Sequence, residues 1–157
     1  VGQMRHSVSA LLNQLRPAGI DEFGLRRTLA EGSVAELLRL AGVRYCLFIG
    51  GDAGALDTLP DEAQISLYRI VQETATNALR HAHATRFSVH LRVHRVGSEV
   101  RVALRCADDG GGIDQGQYRV GGLGLNGITD RVASFGGKLR IKSDERGTRI
   151  LAVIAFS

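Results

Sequence analysis

Glu73 and Asn77 stand four residues apart in the stretch Glu73-Thr-Ala-Thr-Asn77-Ala-Leu-Arg80-His81, within a helical pattern. Residues four apart on a helix are neighbours, with Cβ atoms about 5–6 Å apart. An amide oxygen suits Mg²⁺, which takes further ligands from substrate phosphates, and a nearby carboxylate can orient or deprotonate an attacking group. Arg80 and His81, one turn later, can meet phosphate oxygens. The same residues also fit the solvated face of an amphipathic helix, so this helix alone leaves both interpretations open.

An acid followed by glycines, Asp108-Asp109-Gly110-Gly111-Gly112, comes directly after a strand pattern. Asp and Gly form tight turns, but a hairpin needs fewer glycines than this. A carboxylate at the end of a strand accepts hydrogen bonds from an amino group and repels a carbonyl oxygen. Such a carboxylate favours adenine over guanine, because guanine carries an oxygen where adenine carries its amino group.

A second glycine motif, Gly122-Leu123-Gly124-Leu125, opens a helical pattern. Backbone N–H groups at a helix N-terminus favour phosphate. The motif is not a Rossmann fingerprint, because no strand leads into it and the third glycine is misplaced. It is not a P-loop, because the chain has no Gly-Lys-Ser/Thr. Together the three motifs predict a nucleotide pocket.

Other chemistry is not indicated. His90 and His94 lie four strand residues apart, about 13 Å, so they cannot share a metal ion. No serine or cysteine has a recognisable His and acid partner. Cys46 and Cys106 each lie in an apolar strand-like run, and we expect both to be buried free thiols in a reducing compartment.

Length and composition fit one globular domain of 157 residues, 44% hydrophobic and 23% charged. The 20 Lys and Arg against 16 Asp and Glu give a net charge of +4, but the cations are spread along the chain and aromatics are only 5%. We therefore expect no nucleic-acid binding. No apolar run approaches the roughly 20 residues of a membrane span, so no direct membrane contact is expected.

Hydrophobic periodicity places the motifs on helices and strands. The predicted helices cover 1–16, Asp21 to about Ala41 with a kink or split at Gly32-Ser33, Pro60 to about His81, and Leu123 to about Phe135. The predicted strands are Val43–Ile49, a hairpin that turns at Gly97-Ser98, and a closing hairpin of Lys138–Ser143 and Thr148–Phe156, with loops at Gly50–Leu59 and Asp108–Gly122. On the third helix the predicted core face consists of Leu67, Val71, Thr74, Ala78 and Ala82.

The first hairpin alternates strictly between apolar and polar residues. One set is Phe87, Val89, Leu91 and Val93, and the other is Ser88, His90, Arg92 and His94. Successive strand residues point to opposite faces, so one face of the sheet is apolar and one is polar. Helices then cover one face only, which predicts an α+β fold of two layers.

Taken in order, the motifs resemble the ATP-binding catalytic domain of bacterial sensor histidine kinases, a branch of the GHKL ATPase superfamily. The order is the specific part: E-x-x-x-N-A-x-x-H-A-x-A, D-D-G-x-G, G-x-G-L and then Gly147-Thr148. Over residues 12–157 the chain resembles the NarX/UhpB/DesK type. The residues that carry this resemblance are Leu15-Arg16-Pro17, Phe23-Gly24-Leu25 and Gly124-Leu125…Asp130-Arg131-Val132…Gly136-Gly137. The resemblance implies a Bergerat (GHKL ATPase) fold, an α/β two-layer sandwich with a mixed, mostly antiparallel sheet and helices on one face.

The resemblance also implies roles for individual residues. Asn77 would ligate Mg²⁺, and Glu73 would be the polar or basic group near the γ-phosphate, the catalytic residue. On the base side, Asp108 would contact the adenine amino group, with Thr148 in support. The remaining implied site residues are Arg80 and His81 on the phosphate side, Gly110 and Gly112 in the turn, and Gly122, Leu123, Gly124 and Leu125 in the second glycine box, with an ATP lid from Ile113 to Gly121. The implied ligands are ATP and Mg²⁺.

We expect residues 1–16 to be the tail of a dimerisation helix and 17–157 to be the catalytic domain. Kinases of this type phosphorylate their own histidine, in an L-H-D context on a preceding helical hairpin, and the chain has no such motif; His6 is followed by Ser7-Val8. The resemblance thus implies a cytoplasmic protein histidine kinase fragment without its phosphoacceptor. The implied partners are the hairpin of a homodimeric parent, which can be anchored in the inner membrane, and a NarL-like response regulator.

Two other classes of nucleotide-binding protein are alternatives. A nucleotide-gated binding module, of the anti-sigma or degenerate GHKL kind, shares the fold, but the intact Glu73, Asn77 and glycine motifs argue against degeneracy. An ATP-driven clamp of the gyrase or mismatch-repair type carries a longer lid and a following transducer domain, for which we expect no room.

Overall fold

The computed structural model describes residues 17–81, 83–112 and 125–157, without the side chains of His81, Leu125 and Asn126. Its helices are α1 (Ile20–Glu31), α2 (Ser33–Leu40), α3 (Asp61–His81) and α4 (Leu125–Ser134), with a 3₁₀ helix at Ala53–Thr58. Its strands are β1 (Arg44–Gly51), β2 (Arg86–Val96), β3 (Glu99–Asp108), β4 (Lys138–Asp144) and β5 (Gly147–Phe156). The predicted helix over 1–16, the predicted core position Ala82 and most of the predicted 108–122 loop lie outside these residues.

The strands form one sheet in the order β1-β2-β3-β5-β4. The β1–β2 pair is parallel, and the β2–β3, β3–β5 and β5–β4 pairs are antiparallel. The sheet is therefore mixed and mostly antiparallel, as expected. Its order brings the C-terminal end of β3 next to the start of β5, where Ala107 pairs with Arg149.

One face of the sheet is buried under the helices. The predicted inward set of β2, Phe87, Val89, Leu91 and Val93, is fully buried, and the predicted outward set is half-buried or exposed. On α3 the described members of the predicted core face, Leu67, Val71, Thr74 and Ala78, are at most 2% exposed. Removing each large apolar side chain from water contributes about 1.5–3 kcal/mol. The two-layer prediction is confirmed.

The second predicted helix divides at the position where the glycine weakens it. Gly32 ends α1 with an extended backbone, and α2 begins at Ser33. The predicted loop 50–59 was partly wrong, because β1 continues through Gly51 and residues Ala53–Thr58 form a 3₁₀ helix that buries Ala55 and Leu56. Short apolar runs between turn-forming residues do not distinguish a loop from one helical turn.

The expectation that both cysteines are buried was wrong for Cys46. Cys106 is buried and Cys46 is exposed. Cys46 lies on β1, an edge strand of the sheet, and its position alternates onto the outer face. Apolar neighbours along the sequence do not reveal which sheet face a residue occupies.

None of the described helices is long and apolar enough to cross a membrane.

Candidate functional site

Asp108 is the last residue of β3, and its side chain is turned toward the buried side of the sheet. It is 9% exposed. Its Oδ1 accepts hydrogen bonds from the backbone nitrogens of Gly110 at 2.9 Å and Thr148 at 3.4 Å. Burial raises the pKa of Asp108, and the two backbone hydrogen bonds oppose that rise. Both hydrogen bonds go to Oδ1. None of the described atoms is hydrogen-bonded to Oδ2, so Oδ2 can accept a hydrogen bond from an amino group of a ligand.

Gly147 allows the β4–β5 turn to close onto the end of β3. Its φ is 129°, and a Cβ there would lie 2.0 Å from the carbonyl oxygen of Asp108. Thr148 follows directly, 2% exposed, with its Oγ1 2.9 Å from Oγ of Ser143. The close approach therefore fixes Thr148 beside Asp108. The packing role of Gly147 was not predicted; its only sequence signal was a glycine directly before Thr148.

The neighbouring carboxylate, Asp109, faces the other way. It accepts hydrogen bonds from the backbone nitrogens of Thr85 and Arg86, both 2.8 Å, and from the Thr85 hydroxyl. The Thr85 hydroxyl, with the backbone N–H groups, lowers the pKa of Asp109. Asp109 thus ties the end of β3 to the start of β2, a structural role that the sequence did not separate from that of Asp108.

The glycines of the predicted base-side turn are placed next to Asp108. Gly110 donates its N–H to the carboxylate. Gly112 has φ of 80°, and a Cβ there would lie 2.3 Å from the carbonyl oxygen of Asp144. This turn therefore packs against the β4–β5 turn.

Glu73 and Asn77 lie side by side on α3, both largely buried. The side chain of Glu73 is 15% exposed, and Asn77 is 8% exposed. Oε2 of Glu73 and Nδ2 of Asn77 have no hydrogen-bond partner in the described part of the chain. An unpaired buried polar atom costs about 1–3 kcal/mol. Rotating the amide exchanges its oxygen and nitrogen, so this end of Asn77 can present an oxygen to a cation, and the residues fit Mg²⁺.

The helix that carries this pair touches the strand that ends in Asp108. Thr74 of α3 and Cys106 of β3 are both buried where the helix packs against the strand. Thr74 follows Glu73, and Cys106 precedes Asp108 by two residues. The structure thus brings the acid–amide pair and the strand-end carboxylate to one region of the helix–sheet contact.

The other predicted phosphate-side residues are only partly described. Arg80 is exposed near the end of α3. The side chains of His81 and Leu125, and residues Gly122, Leu123 and Gly124 altogether, lie outside the described part. Two clefts of about 650 and 730 Å³ border α1, and no predicted site residue lines either of them.

Two arginines that the sequence did not single out as site residues surround Glu73. Arg131 of α4 places its Nε 3.9 Å from Oε1 of Glu73. Arg69, one turn earlier on α3, is 5% exposed and donates to Gln72 at 2.7 Å. Burial raises the pKa of Glu73, and Arg131 and then Arg69 oppose that rise. The i, i+4 spacing of Arg69 and Glu73 was a signal by which Arg69 could have been found. No local pattern connects Arg131 to Glu73.

This fold and set of side chains place the chain in a class of ATPase domains. The family described as "Histidine kinase-, DNA gyrase B-, and HSP90-like ATPase" matches residues 62–157, and the chain belongs to it. Among curated proteins, the sensor histidine kinase MctS of Rhizobium johnstonii is 33% identical over 153 residues, covering 96% of this chain and 32% of MctS. The histidine-protein kinase/phosphatase UhpB of Salmonella typhimurium is 32% identical over 146 residues, 92% of this chain and 27% of UhpB. The chain spans a third or less of either relative.

Solved structures of histidine kinases have the same fold. The histidine kinase domain of the blue-light activated histidine kinase EL346 of Erythrobacter litoralis superposes with a TM-score of 0.61 at 25% identity, covering 83% of this chain and 60% of that one. The mycobacterial sensor histidine kinase MprB, at 20% identity, gives 0.52 with 83% and 93% covered; it supports the fold alone. The family expected from the order of the motifs is confirmed.

Proposed function

We propose that this chain binds ATP with Mg²⁺ and serves as the cytoplasmic catalytic domain of a two-component sensor histidine kinase. Its γ-phosphoryl acceptor is a histidine on a helical hairpin, and a response regulator then takes the phosphoryl group. The family and its kinase relatives support this proposal. The observation that carries it is the buried carboxylate of Asp108.

Asp108 supplies adenine recognition in this proposal. Its Oδ1 is held by Gly110 and Thr148, so Oδ2 accepts from the exocyclic amino group of the base. The same oxygen repels the carbonyl oxygen of guanine. A site built to accept one hydrogen bond rejects a ligand that lacks the donor, because the buried acceptor is then left unpaired.

Asn77 and Glu73 supply the phosphate side. Magnesium, when bound, neutralises charge on the phosphate oxygens; Asn77 holds it through the amide oxygen. A neutral imidazole nitrogen of the acceptor attacks the γ-phosphorus, the bond to the β-phosphate oxygen breaks, and ADP leaves with that electron pair. The proton of the second imidazole nitrogen passes to the carboxylate of Glu73, whose Oε2 has no partner among the described residues.

A calorimetric titration with ATP and GTP, each with and without Mg²⁺, tests the nucleotide site. Wild type is compared with Asp108→Asn and, as the matched control, with Asp109→Asn, whose carboxylate is bonded to Thr85 and Arg86 instead. A hydrogen bond to a charged group is worth about 1.5–3 kcal/mol, so Asp108→Asn should weaken ATP binding about 10–150-fold. Asp109→Asn should leave it within about twofold.

Unchanged ATP affinity in Asp108→Asn would remove the assignment of the base site. The catalytic proposal is tested separately with Glu73→Gln, which should retain ATP yet slow phosphoryl transfer when a histidine-bearing hairpin is added. Full-rate transfer by that variant contradicts the role of Glu73. Tight ATP binding with no transfer by the wild type would favour the nucleotide-gated binding module.

A further inference from the structure

The first two turns of α4 lie against the carboxylate of Glu73. Gly127 lies against it, since a Cβ at this position would be 3.1 Å from both carboxylate oxygens. The positive end of the α4 dipole therefore faces a negative charge. One turn further along, Arg131 reaches the same carboxylate, with 3.9 Å between Nε and Oε1. Three features of one helix thus converge on Glu73.

Arg131 pairs with Glu73 through charge and not through a hydrogen bond, because the Nε of Arg131 also has no hydrogen-bond partner in the described residues. Arg131 approaches Oε1, whereas Oε2 is buried without a hydrogen-bond partner in the described residues. The side chain of Arg131 is itself only 25% exposed, so its charge is poorly screened by solvent. Truncating one partner of such a pair leaves the other as an uncompensated charge.

In the sequence, α4 follows the glycine motif that was predicted to face the phosphates. Its first residue, Leu125, directly follows Gly122-Leu123-Gly124, and Arg131 comes six residues later. The helix that carries Arg131 therefore begins, in the sequence, directly after the glycine motif.

We propose that Arg131 is a positioning residue for phosphoryl transfer, whose charge orients the Glu73 carboxylate against α4 so that Oε2 keeps no internal hydrogen-bond partner and can take the acceptor's proton. The inference rests on the proposed function. In this role Arg131 contacts neither nucleotide nor acceptor, so its loss lowers the rate of the chemical step and spares nucleotide affinity. If Arg131 only tied α4 to α3, its loss would affect stability and not the rate. An apolar side chain of similar length would then restore the packing.

The test compares Arg131→Met, which keeps much of the length and removes the charge, with Arg131→Lys, which keeps the charge. Arg39→Met is the matched control, because Arg39 is an exposed arginine of α2 paired with Glu36. ATP affinity is measured by calorimetry. Transfer is measured at saturating ATP to a histidine-bearing hairpin of a related sensor kinase, and release of inorganic phosphate is followed in parallel with water as the acceptor.

Misplacing a reacting group by about 1 Å can cost up to about 100-fold in rate. We expect Arg131→Met to slow turnover about 10–100-fold while ATP affinity stays within about twofold. Arg131→Lys should recover most of the rate, and Arg39→Met should behave as wild type. In a Glu73→Gln background, Arg131→Met should cause no further loss of rate, because the two residues act as a unit.

Wild-type turnover in Arg131→Met overturns the inference, as does a loss of rate that persists in full in the Glu73→Gln background. A parallel loss of ATP affinity would mean that Arg131 touches the nucleotide, which also overturns it. Should Arg131→Met fold poorly, Arg131→Gln, which also removes the charge, is compared in the two backgrounds by the same criterion. Failure of the proposed function itself is distinct, because the wild type would then not bind ATP.

Discussion

Oδ1 of Asp108 lies 3.4 Å from the backbone nitrogen of Thr148, a residue 40 positions further along the chain. The contact joins the end of β3 to the start of β5, two strands that are neighbours only because the sheet order places β5 between β3 and β4. The placement of the proposed adenine-binding carboxylate therefore depends on long-range sheet pairing. Local turn chemistry supplies the other bond, from Gly110.

Burial of Asp108 makes a specific prediction about pH. Burial raises the pKa of Asp108 above 3.8, its ordinary value, against the opposing bonds from Gly110 and Thr148. The ionised carboxylate is thus less favourable in the folded than in the unfolded chain. Wild type should lose free energy of unfolding as the pH rises from about 3.8 through the raised pKa. Asp108→Asn does not titrate, so it should become more stable relative to wild type over that window, as measured by urea unfolding at several pH values.

The neighbouring residue should show the opposite sign. The Thr85 hydroxyl and nearby backbone N–H groups lower the pKa of Asp109 below 3.8. Its stabilising contribution is therefore present above about pH 3.8 and is lost as the pH falls through the lowered value. Asp109→Asn should be less stable than wild type at pH 7, by about 1 kcal/mol because the site is exposed. The gap should close in acid, and a gap that widened instead would contradict the assignment of these bonds.

Gly147 should tolerate no side chain. A Cβ would lie 2.0 Å from the carbonyl oxygen of Asp108, at φ of 129°. Strain and overlap together should lower the free energy of unfolding of Gly147→Ala by about 3 kcal/mol or more. Gly97→Ala is the control, since Gly97 also has positive φ, 61°, but nothing lies within 4 Å of its added Cβ. That variant should lose about 1 kcal/mol, and equal losses would show that the contact with Asp108 is unimportant.

Much of the fold was predictable from periodicity. Alternation in β2 assigned the buried face correctly at Phe87 through Val93, and the weak position at Gly32 divides α1 from α2. These features are written in the local sequence, because strand and helix periods differ. The family followed from the order of the motifs, and the match over residues 62–157 confirms it.

What the sequence did not reveal depends on contacts between distant elements. Arg131 of α4 pairs with Glu73 of α3, and the sequence of neither helix indicates this contact. Cys46 was expected to be buried because its neighbours in sequence are apolar, but it occupies the outer face of an edge strand. Likewise, Asp108 and Asp109 are adjacent in one motif. Only their distant hydrogen-bond partners show that Asp108 is the candidate ligand contact and that Asp109 joins β3 to β2.

Asn77 gives a prediction about the metal ion. Asn77 is 8% exposed, and its Nδ2 is buried without a hydrogen-bond partner among the described residues, which leaves this end of the amide unpaired. Asn77→Ala removes the proposed oxygen ligand and should abolish the gain in ATP affinity that Mg²⁺ provides. ATP affinity in the presence of Mg²⁺ should therefore fall by about tenfold or more. ATP affinity without Mg²⁺ should change little. Calorimetric titration with and without Mg²⁺ measures both quantities.

Thr76→Ala is the matched control for this prediction, because the Thr76 hydroxyl bonds to the Gln72 carbonyl oxygen within α3. It alters the adjacent position of the same helix without touching the proposed ligand, and its Mg²⁺ dependence should equal that of wild type. A Mg²⁺ dependence that survives in Asn77→Ala would move the metal to other ligands. In that case the unpaired amide would be a hydrogen-bond donor to the phosphates, and ATP affinity without Mg²⁺ would fall instead.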